Sequence, residues 1–187
     1  MVTETLIARC IRRESKAQYE LYRALYGLMM SICTRYERNR QDAMARMNQG
    51  FLKILLHLER RKPEVPFEAW ARRIMINTVI DGFRRERDRR QHEVTADPLN
   101  LPEIAAANEH LQHMEAEDFA RLMQHVPPMS RHVFNLFAID GYAHAEIATL
   151  LEISVGTSKW HVANARAILQ KTLSRSSVAN TANTFQR

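Results

Sequence analysis

Glycine and proline are scarce, with five and six residues in a chain of 187. So few turn formers argue against a sandwich or barrel of short strands, and no strict apolar/polar alternation lines up beside a hairpin turn. Cysteine is nearly absent. Cys10 and Cys33 have no paired spacing and no metal-type neighbours, so they read as small buried apolar residues rather than a disulfide framework. No apolar run approaches the roughly 20 residues that a membrane span needs. The first thirteen residues mix charge with short apolar pieces and do not form a signal peptide. A cytoplasmic chain without membrane insertion is expected. Clustered carboxylates and a Ser/His/Asp arrangement are also lacking, so the chain is not expected to be an enzyme. His110 and His113 have no carboxylate or thiol at matching spacing, and no metal or cofactor is expected. What is present is a 45% hydrophobic content, enough for real cores, arranged with helical periodicity. The chain is expected to be all-α.

Charge is unevenly spread. The net charge is +9 over residues 1–91, −6 over 92–117 and +3 over 118–187. Two basic blocks flank an acidic connector. Basic blocks attract polyanions by neutralising phosphates and releasing counterions, and an acidic strap is repelled from the same backbone. The pattern suits two DNA-contacting modules joined by a linker.

Tyr19, Tyr22, Tyr26, Met29, Cys33 and Tyr36 step by three and four and predict one core-facing stripe of a long helix. A second helix is predicted from Asp42 to Leu58, with Met47, Phe51, Ile54, Leu55 and Leu58 inward. Pro63 and Pro66, among the charges of residues 59–64, force a loop. A third helix runs from Phe67 to about Arg87. On its polar side Arg73, Asn77, Asp81 and Arg84 share a stripe, which Arg85, Arg87, Arg89 and Arg90 extend. Arginine forks suit phosphates and base edges, and an Asn amide carries both a donor and an acceptor for a base. A solvated face held by ion pairs would look the same at this level.

Residues 92–103 read as a linker. Beyond it a short helix stops at Pro127-Pro128, and Ser130 is expected to cap the next one, which Asp140-Gly141 breaks. A short helix from His144 to Leu151, a tight turn at Glu152-Ile153 and a Ser154-capped helix to about Leu173 then spell a helix-turn-helix. Val155, Ser158, Val162, Ala165 and Leu169 are expected inward. That leaves Lys159, Trp160, Ala163 and Asn164 toward a major groove, with Ser154 and Thr157 at the helix N-terminus suited to a phosphate.

The stretches from Asp140 to Ala148 and from Ile153 to His161, with Ala165-Arg166, resemble region 4 of the extracytoplasmic-function (ECF) sigma factors. Phe51-Leu52-Lys53-Ile54, the stretch from Phe67 to Asp81 and Arg84-Arg85 resemble their region 2. The resemblance implies two small helical domains joined by a flexible linker: a region 2 domain at 1–91, an acidic linker at 92–117, a region 4 domain at 118–175 and a disordered tail at 176–187. It implies a bacterial initiation factor that binds core RNA polymerase, reads the −35 element of promoter DNA with the second domain and opens the −10 element with the first. Lys159, Trp160, Ala163 and Asn164 would face the −35 groove, with Ser154, Thr157, His161 and Arg166 supporting them or touching phosphates. The −10 strand would meet Arg60, Arg61, Lys62, Phe67, Arg73, Asn77, Asp81, Arg84 and Arg85. Core polymerase would meet Asp42, Asn48, Gln49, Phe51 and Lys53. An anti-sigma protein is an implied partner.

The chain departs from the family's usual pattern at three places. Paired acidic residues usually precede the position of Phe51, whereas between residues 42 and 50 only Asp42 is acidic here. Glu152 stands where the turn usually has Gly, so a left-handed backbone there costs about 1 kcal/mol. Ala143 stands where a capping Ser is common. The first departure leaves open an alternative, a helix-turn-helix regulator that binds DNA without polymerase.

Overall fold

Two of the helices in the first half open on a side-chain cap, at Thr3 and at Asn39. A computed structural model describes residues 2–90 and 121–184. Helix α1 (Glu4–Ile11), which the apolar periodicity did not single out, opens on Thr3, whose hydroxyl accepts the Leu6 amide at 3.2 Å. A tight corner with Arg13 at φ 61° leads into α2 (Ser15–Tyr36). Glu14 ties that corner, accepting from Arg9 at 2.8 Å and Arg12 at 2.9 Å. Those hydrogen bonds, Arg9 first, hold its carboxyl below the usual range. Asn39 caps α3 (Arg40–His57) by accepting the Asp42 amide at 2.8 Å, and its own amide bonds the Asp42 carboxylate at 2.7 Å. One 3-10 turn (Leu58–Arg60) follows, and Pro63 and Pro66 keep the chain non-helical until α4 (Phe67–Arg90).

Helices α2, α3 and α4 pack on one another, and α1 lies against α2 and the 3-10 turn. The core line of α2 is Ala17, Leu21, Leu25, Met29, Ile32, Cys33 and Tyr36. Of the stripe expected from spacing, Met29, Cys33 and Tyr36 are buried as expected, but the first half is corrected: Tyr19 is 62% exposed, and Tyr22 and Tyr26 are half-buried at the rim. The two stripes are neighbours on the helix. Along the first half of α2 the aliphatic residues Ala17, Leu21 and Leu25 bury without a polar cost, whereas each phenol hydroxyl needs water or a partner. Met47 and Ile54 from α3 and Met75, Ile76, Val79 and Ile80 from α4 complete this core. Where α3 crosses α4, Gly50 is buried, and a Cβ there would collide with the Met75 sulfur.

The chain divides into two compact units, Met1–Val94 and Thr95–Arg187. The connector expected at 92–117, with His110 and His113, lies outside the described residues. In the second unit α5 (Pro128–Phe134) starts on a proline and continues as a π-helical stretch, Asn135–Ile139, which ends before Gly141 at φ 76°. Helix α6 (His144–Leu151) has Ala143 at its cap, which offers no side-chain oxygen. Glu146 nonetheless reaches back to accept the Ala143 amide at 2.8 Å, supplying half of a capping box. Helix α7 (Val155–Thr184) runs past Leu173 and through most of the expected tail. No Gly or Pro follows Gly156 to stop it. Helices α5 and α6 both pack on α7.

Glu152 does adopt the left-handed conformation, φ 56° and ψ 49°. Glycine takes that conformation without the Cβ penalty, so Glu152→Gly is expected to stabilise the second unit by about 1 kcal/mol. A thermal melt followed by circular dichroism checks it; a lower midpoint would count against the strain.

Candidate nucleic-acid interface

Helix α6, a three-residue turn and α7 form the helix-turn-helix. Ile147 and Leu151 are buried on α6, and Ser158, Val162, Ala165 and Leu169 on α7. Val155 departs from expectation: it is 42% exposed, whereas Ser158, one turn further along, is fully buried. The outer face of α7 therefore begins with Val155 and Gly156 and continues through Lys159 to half-buried Trp160, Ala163 and Arg166. Ser154 caps the helix by accepting the Thr157 amide at 2.9 Å, and the two hydroxyls lie 2.8 Å apart. Lys159 and Arg166 both act electrostatically on His144. Its pKa is lowered first by burial and then by these two cations. His144 Nδ1 lies 2.9 Å from the buried Ser158 hydroxyl, and its ring stacks on Phe137 at 4.3 Å.

Two residues expected on the groove side or touching phosphates are turned inward. The Asn164 amide donates to Ser130 Oγ at 3.1 Å, and Ser130 Oγ lies 2.9 Å from His161 Nδ1. Ser130 is 1% exposed, and its hydroxyl makes these contacts to α7 rather than capping α5, which begins on Pro127 without a side-chain cap. Burial pushes the His161 pKa down to about 4, so the ring is neutral at pH 7. A hydroxyl has two acceptor lone pairs and one proton, so Ser130 can accept from Asn164 and still bond His161 Nδ1 in either direction, the imidazole tautomer setting which.

A pH dependence follows with a definite sign. In the unfolded chain His161 takes up a proton near pH 6.5, but in the folded chain only near pH 4. The unfolded state therefore binds more protons between those values, and the second unit loses stability as pH falls through that window. His161 is partly solvated, so the loss is on the order of 1 kcal/mol. The expected result is a melting midpoint that drops from pH 7 to pH 4.5, and a shallower drop in His161→Gln. Equal slopes in the two proteins would remove His161 as the cause.

In the first unit the candidate site is the loop from Glu59 to Phe67 and the adjoining face of α4. Arg60 and Lys62 are exposed, and Lys62 O accepts the Val65 amide at 3.1 Å. Phe67 leans on Trp70 with ring centres 5.7 Å apart. Arg73 is exposed and Asn77 half-buried one turn further along. Arg84 is half-buried, and exposed Arg85 donates back to the Asp81 carbonyl at 3.2 Å. Asp81 itself is not free for a strand: Lys53 from α3 meets its carboxylate at 2.9 Å, joining two residues expected in different sites. Arg87 pairs with Asp88 at 3.4 Å and Arg89 with Glu86, so part of the extended positive run is compensated.

The residues expected at a polymerase contact are also partly engaged. Asp42 belongs to the α3 cap, and Gln49 accepts from Arg46 at 3.0 Å while remaining exposed. Phe51 meets Tyr22 edge-on at 5.1 Å. Asn48 stands exposed on the same helix, with Met44, Leu52 and Leu56 also exposed along it.

Residues 21–89 match the Sigma-70 region 2 family and residues 116–169 match Sigma-70, region 4, together about two thirds of the chain. The chain belongs to the sigma-70 family, in its extracytoplasmic-function class. It is 24% identical over 160 residues to the ECF RNA polymerase sigma factor SigE of Mycolicibacterium smegmatis, covering 84% of this chain and 62% of that protein. The RNA polymerase sigma-H factor of Pseudomonas aeruginosa is 24% identical over 182 residues, 91% of this chain and 93% of that one. Among solved structures, the Bartonella quintana sigma factor RpoE, co-crystallised with the anti-sigma factor NepR, shares the fold. Its TM-score is 0.52 at 16% identity, covering 83% of this chain and 96% of that one.

In this sigma-70 chain the residues that spacing did not reveal are Ser130, Val155 and Glu4. Ser130 carries no periodic signal because its partners lie 31 and 34 residues away. Val155 fits the inward stripe by spacing, and spacing alone does not report exposure at a helix end. Glu4 lies on a helix whose partner in the loop is 57 residues away.

Proposed function

We propose that this sigma-70 chain is the promoter-specificity subunit of a transcribing RNA polymerase. The observation that carries the reading is the joint presence, in order, of a region 2 unit with a cation-flanked loop and Asn77, and a region 4 helix-turn-helix with Lys159 on its open face. In this reading the outer edge of α7, Val155 to Arg166, docks on the −35 duplex, with Lys159, Trp160 and Ala163 nearest the bases. Asn164 and His161 hold the helix from behind, and Ser154 and Thr157 lie near the phosphates. The loop with Phe67 and Asn77 receives a base unstacked from the −10 strand, while Arg60, Lys62, Arg73, Arg84 and Arg85 line its phosphate track. An unstacked base needs a snug pocket with a polar reader, and a melted strand needs cations.

Linking both modules in one chain makes the second contact intramolecular, so two modest affinities combine into promoter selectivity. Such a subunit binds and opens DNA and leaves bond making to the polymerase, so it is not itself an enzyme. Among the described residues no helix is long and apolar enough to cross a membrane. We place the chain in the cytoplasm with core polymerase and promoter DNA, and with an anti-sigma protein as its antagonist. Polymerase contact falls to the exposed face of α3 around Asn48 and Gln49, with Asp42, Phe51 and Lys53 beside it. The domain limits proposed from sequence, with a linker at 92–117, accompany this reading.

Run-off transcription with the full chain and bacterial core polymerase tests the proposal. The expected result is promoter-specific transcript and stoichiometric co-purification with core. DNA binding without any association with core would instead favour the polymerase-independent regulator. Within the complex, Lys159→Ala is expected to weaken −35 binding by about 1–2 kcal/mol. It should also flatten the dependence of log affinity on log salt concentration by about one if the ammonium meets a phosphate. No change in affinity would displace Lys159 from the contact.

A further inference from the structure

The loop from Glu59 to Phe67 has three consecutive cations, and they are not equivalent. Arg60 and Lys62 are exposed, whereas the Arg61 side chain is only 5% exposed. Its guanidinium makes three contacts at once. One nitrogen pairs with the carboxylate of Glu4 on α1, another donates to the Val65 carbonyl at 3.0 Å, and the plane lies over the Phe67 ring at 5.8 Å. These three partners are the N-terminal helix, the far limb of the loop and the first residue of α4. A planar fork reaches two acceptors while stacking on a ring, which a single ammonium on a flexible stem does not do.

The loop needs such a tie. Residues Lys62 to Pro66 are all exposed, and Pro63 and Pro66 cannot donate backbone hydrogen bonds. Arg61 closes one limb on the other and fixes the Phe67 ring, which leans on Trp70. An arginine with its charge spent inside the fold is poorly placed to meet a phosphate, although its charge alone had suggested that role. The Arg61 amide also donates to the Leu58 carbonyl at 3.2 Å, which ties the side chain's own backbone to the 3-10 turn against which α1 packs.

We infer that Arg61 is a positioning residue rather than a DNA contact, and that α1, through Glu4, sets the shape of the loop that selects the −10 base. The inference rests on the reading of this loop as the base-receiving element. A pocket discriminates between bases only if its groups hold their places when the wrong base enters. A loose loop rearranges to accommodate it and loses ordering entropy on every base alike. Loosening the tie therefore lowers selectivity more than it lowers overall affinity.

The test uses the full chain in holoenzyme with bacterial core polymerase. The probe is fork-junction DNA carrying the −10 sequence that wild-type holoenzyme enriches, with each of the four bases placed in turn at the unpaired positions. Arg61→Lys is expected to reduce the ratio of best to worst base about tenfold at one position, and Glu4→Gln about threefold at the same position. The two effects should be less than additive, since both variants cut the same tie. In Arg61→Gln the slope of log affinity against log salt should stay unchanged, because no phosphate contact is lost. Glu4 is 75% exposed, so Glu4→Gln keeps the fold and tests the tie even if the Arg61 variants melt early.

Unchanged base selectivity in both Arg61→Lys and Glu4→Gln overturns the inference. So does a salt slope flattened by about one in Arg61→Gln alongside a silent Glu4→Gln, which marks a direct phosphate contact. If wild-type holoenzyme binds the −35 duplex yet shows no base preference on the unpaired strand, the reading of the loop itself fails, and this inference with it.

Discussion

Replacing Ser130 by valine is expected to cost the second unit about 2–4 kcal/mol and to lower its melting midpoint by roughly 10–25 °C. Ser130 is 1% exposed and is the single hydroxyl shared by the Asn164 amide and His161 Nδ1. Valine has no hydrogen-bonding group and is larger by a methyl, so both partners lose their bond in a site only partly open to water, and the extra methyl adds some overpacking. An unsatisfied buried polar group costs about 1–3 kcal/mol, whereas replacing all partners by apolar groups is close to neutral. Ser130→Ala with His161→Leu and Asn164→Leu should therefore recover much of the loss of Ser130→Val. The chain has two tryptophans, Trp70 in the first unit and Trp160 in the second. Trp160 fluorescence in a Trp70→Phe background follows the second unit alone. A midpoint within 2–3 °C of the unsubstituted protein, about the shift expected for half a kcal/mol in a unit this small, would sink the claim that this triad holds α5 to α7.

Gly50→Val is expected to destabilise the first unit by about 3 kcal/mol. The α3–α4 crossing has no room for a Cβ at Gly50, because the Met75 side chain occupies that space and is itself fully buried. Overpacking a filled core costs typically 1–3 kcal/mol, and a β-branched residue cannot rotate its bulk away from the helix below. Gly27 provides the control. It lies exposed in the middle of α2 with nothing within 4 Å of a built Cβ, so Gly27→Ala should stabilise by up to about 1 kcal/mol through helix propensity alone. Urea denaturation followed by Trp70 in a Trp160→Phe background measures both. Opposite signs are the expected outcome; a stabilising Gly50→Val would mean that α3 and α4 separate more easily than their packing implies.

Most of the helices were legible. Pro63, Pro66, Pro127 and Gly141 punctuate the chain where the helices break, and the inward stripe of α7 was right at Ser158, Val162, Ala165 and Leu169. Errors arose where two faces of one helix compete for the core. On α2 the tyrosine and aliphatic stripes are adjacent, and spacing cannot say which will meet α3 and α4. For the site, residue type indicated which side chains could meet DNA, but not which had already spent their hydrogen bonds or charge inside the fold. Asn164, His161, Asp81 and Arg61 all look free in one dimension and are all engaged in three.

By itself the sequence determined the helical class, the two basic blocks with an acidic strap between them, and the helix-turn-helix, because periodicity, breakers and charge are local properties of neighbouring residues. Only the tertiary structure decided which polar groups remain available at the surface. Each such group is committed or released by a partner tens of residues away, and a hydrogen bond made inside the fold is one that a ligand cannot use.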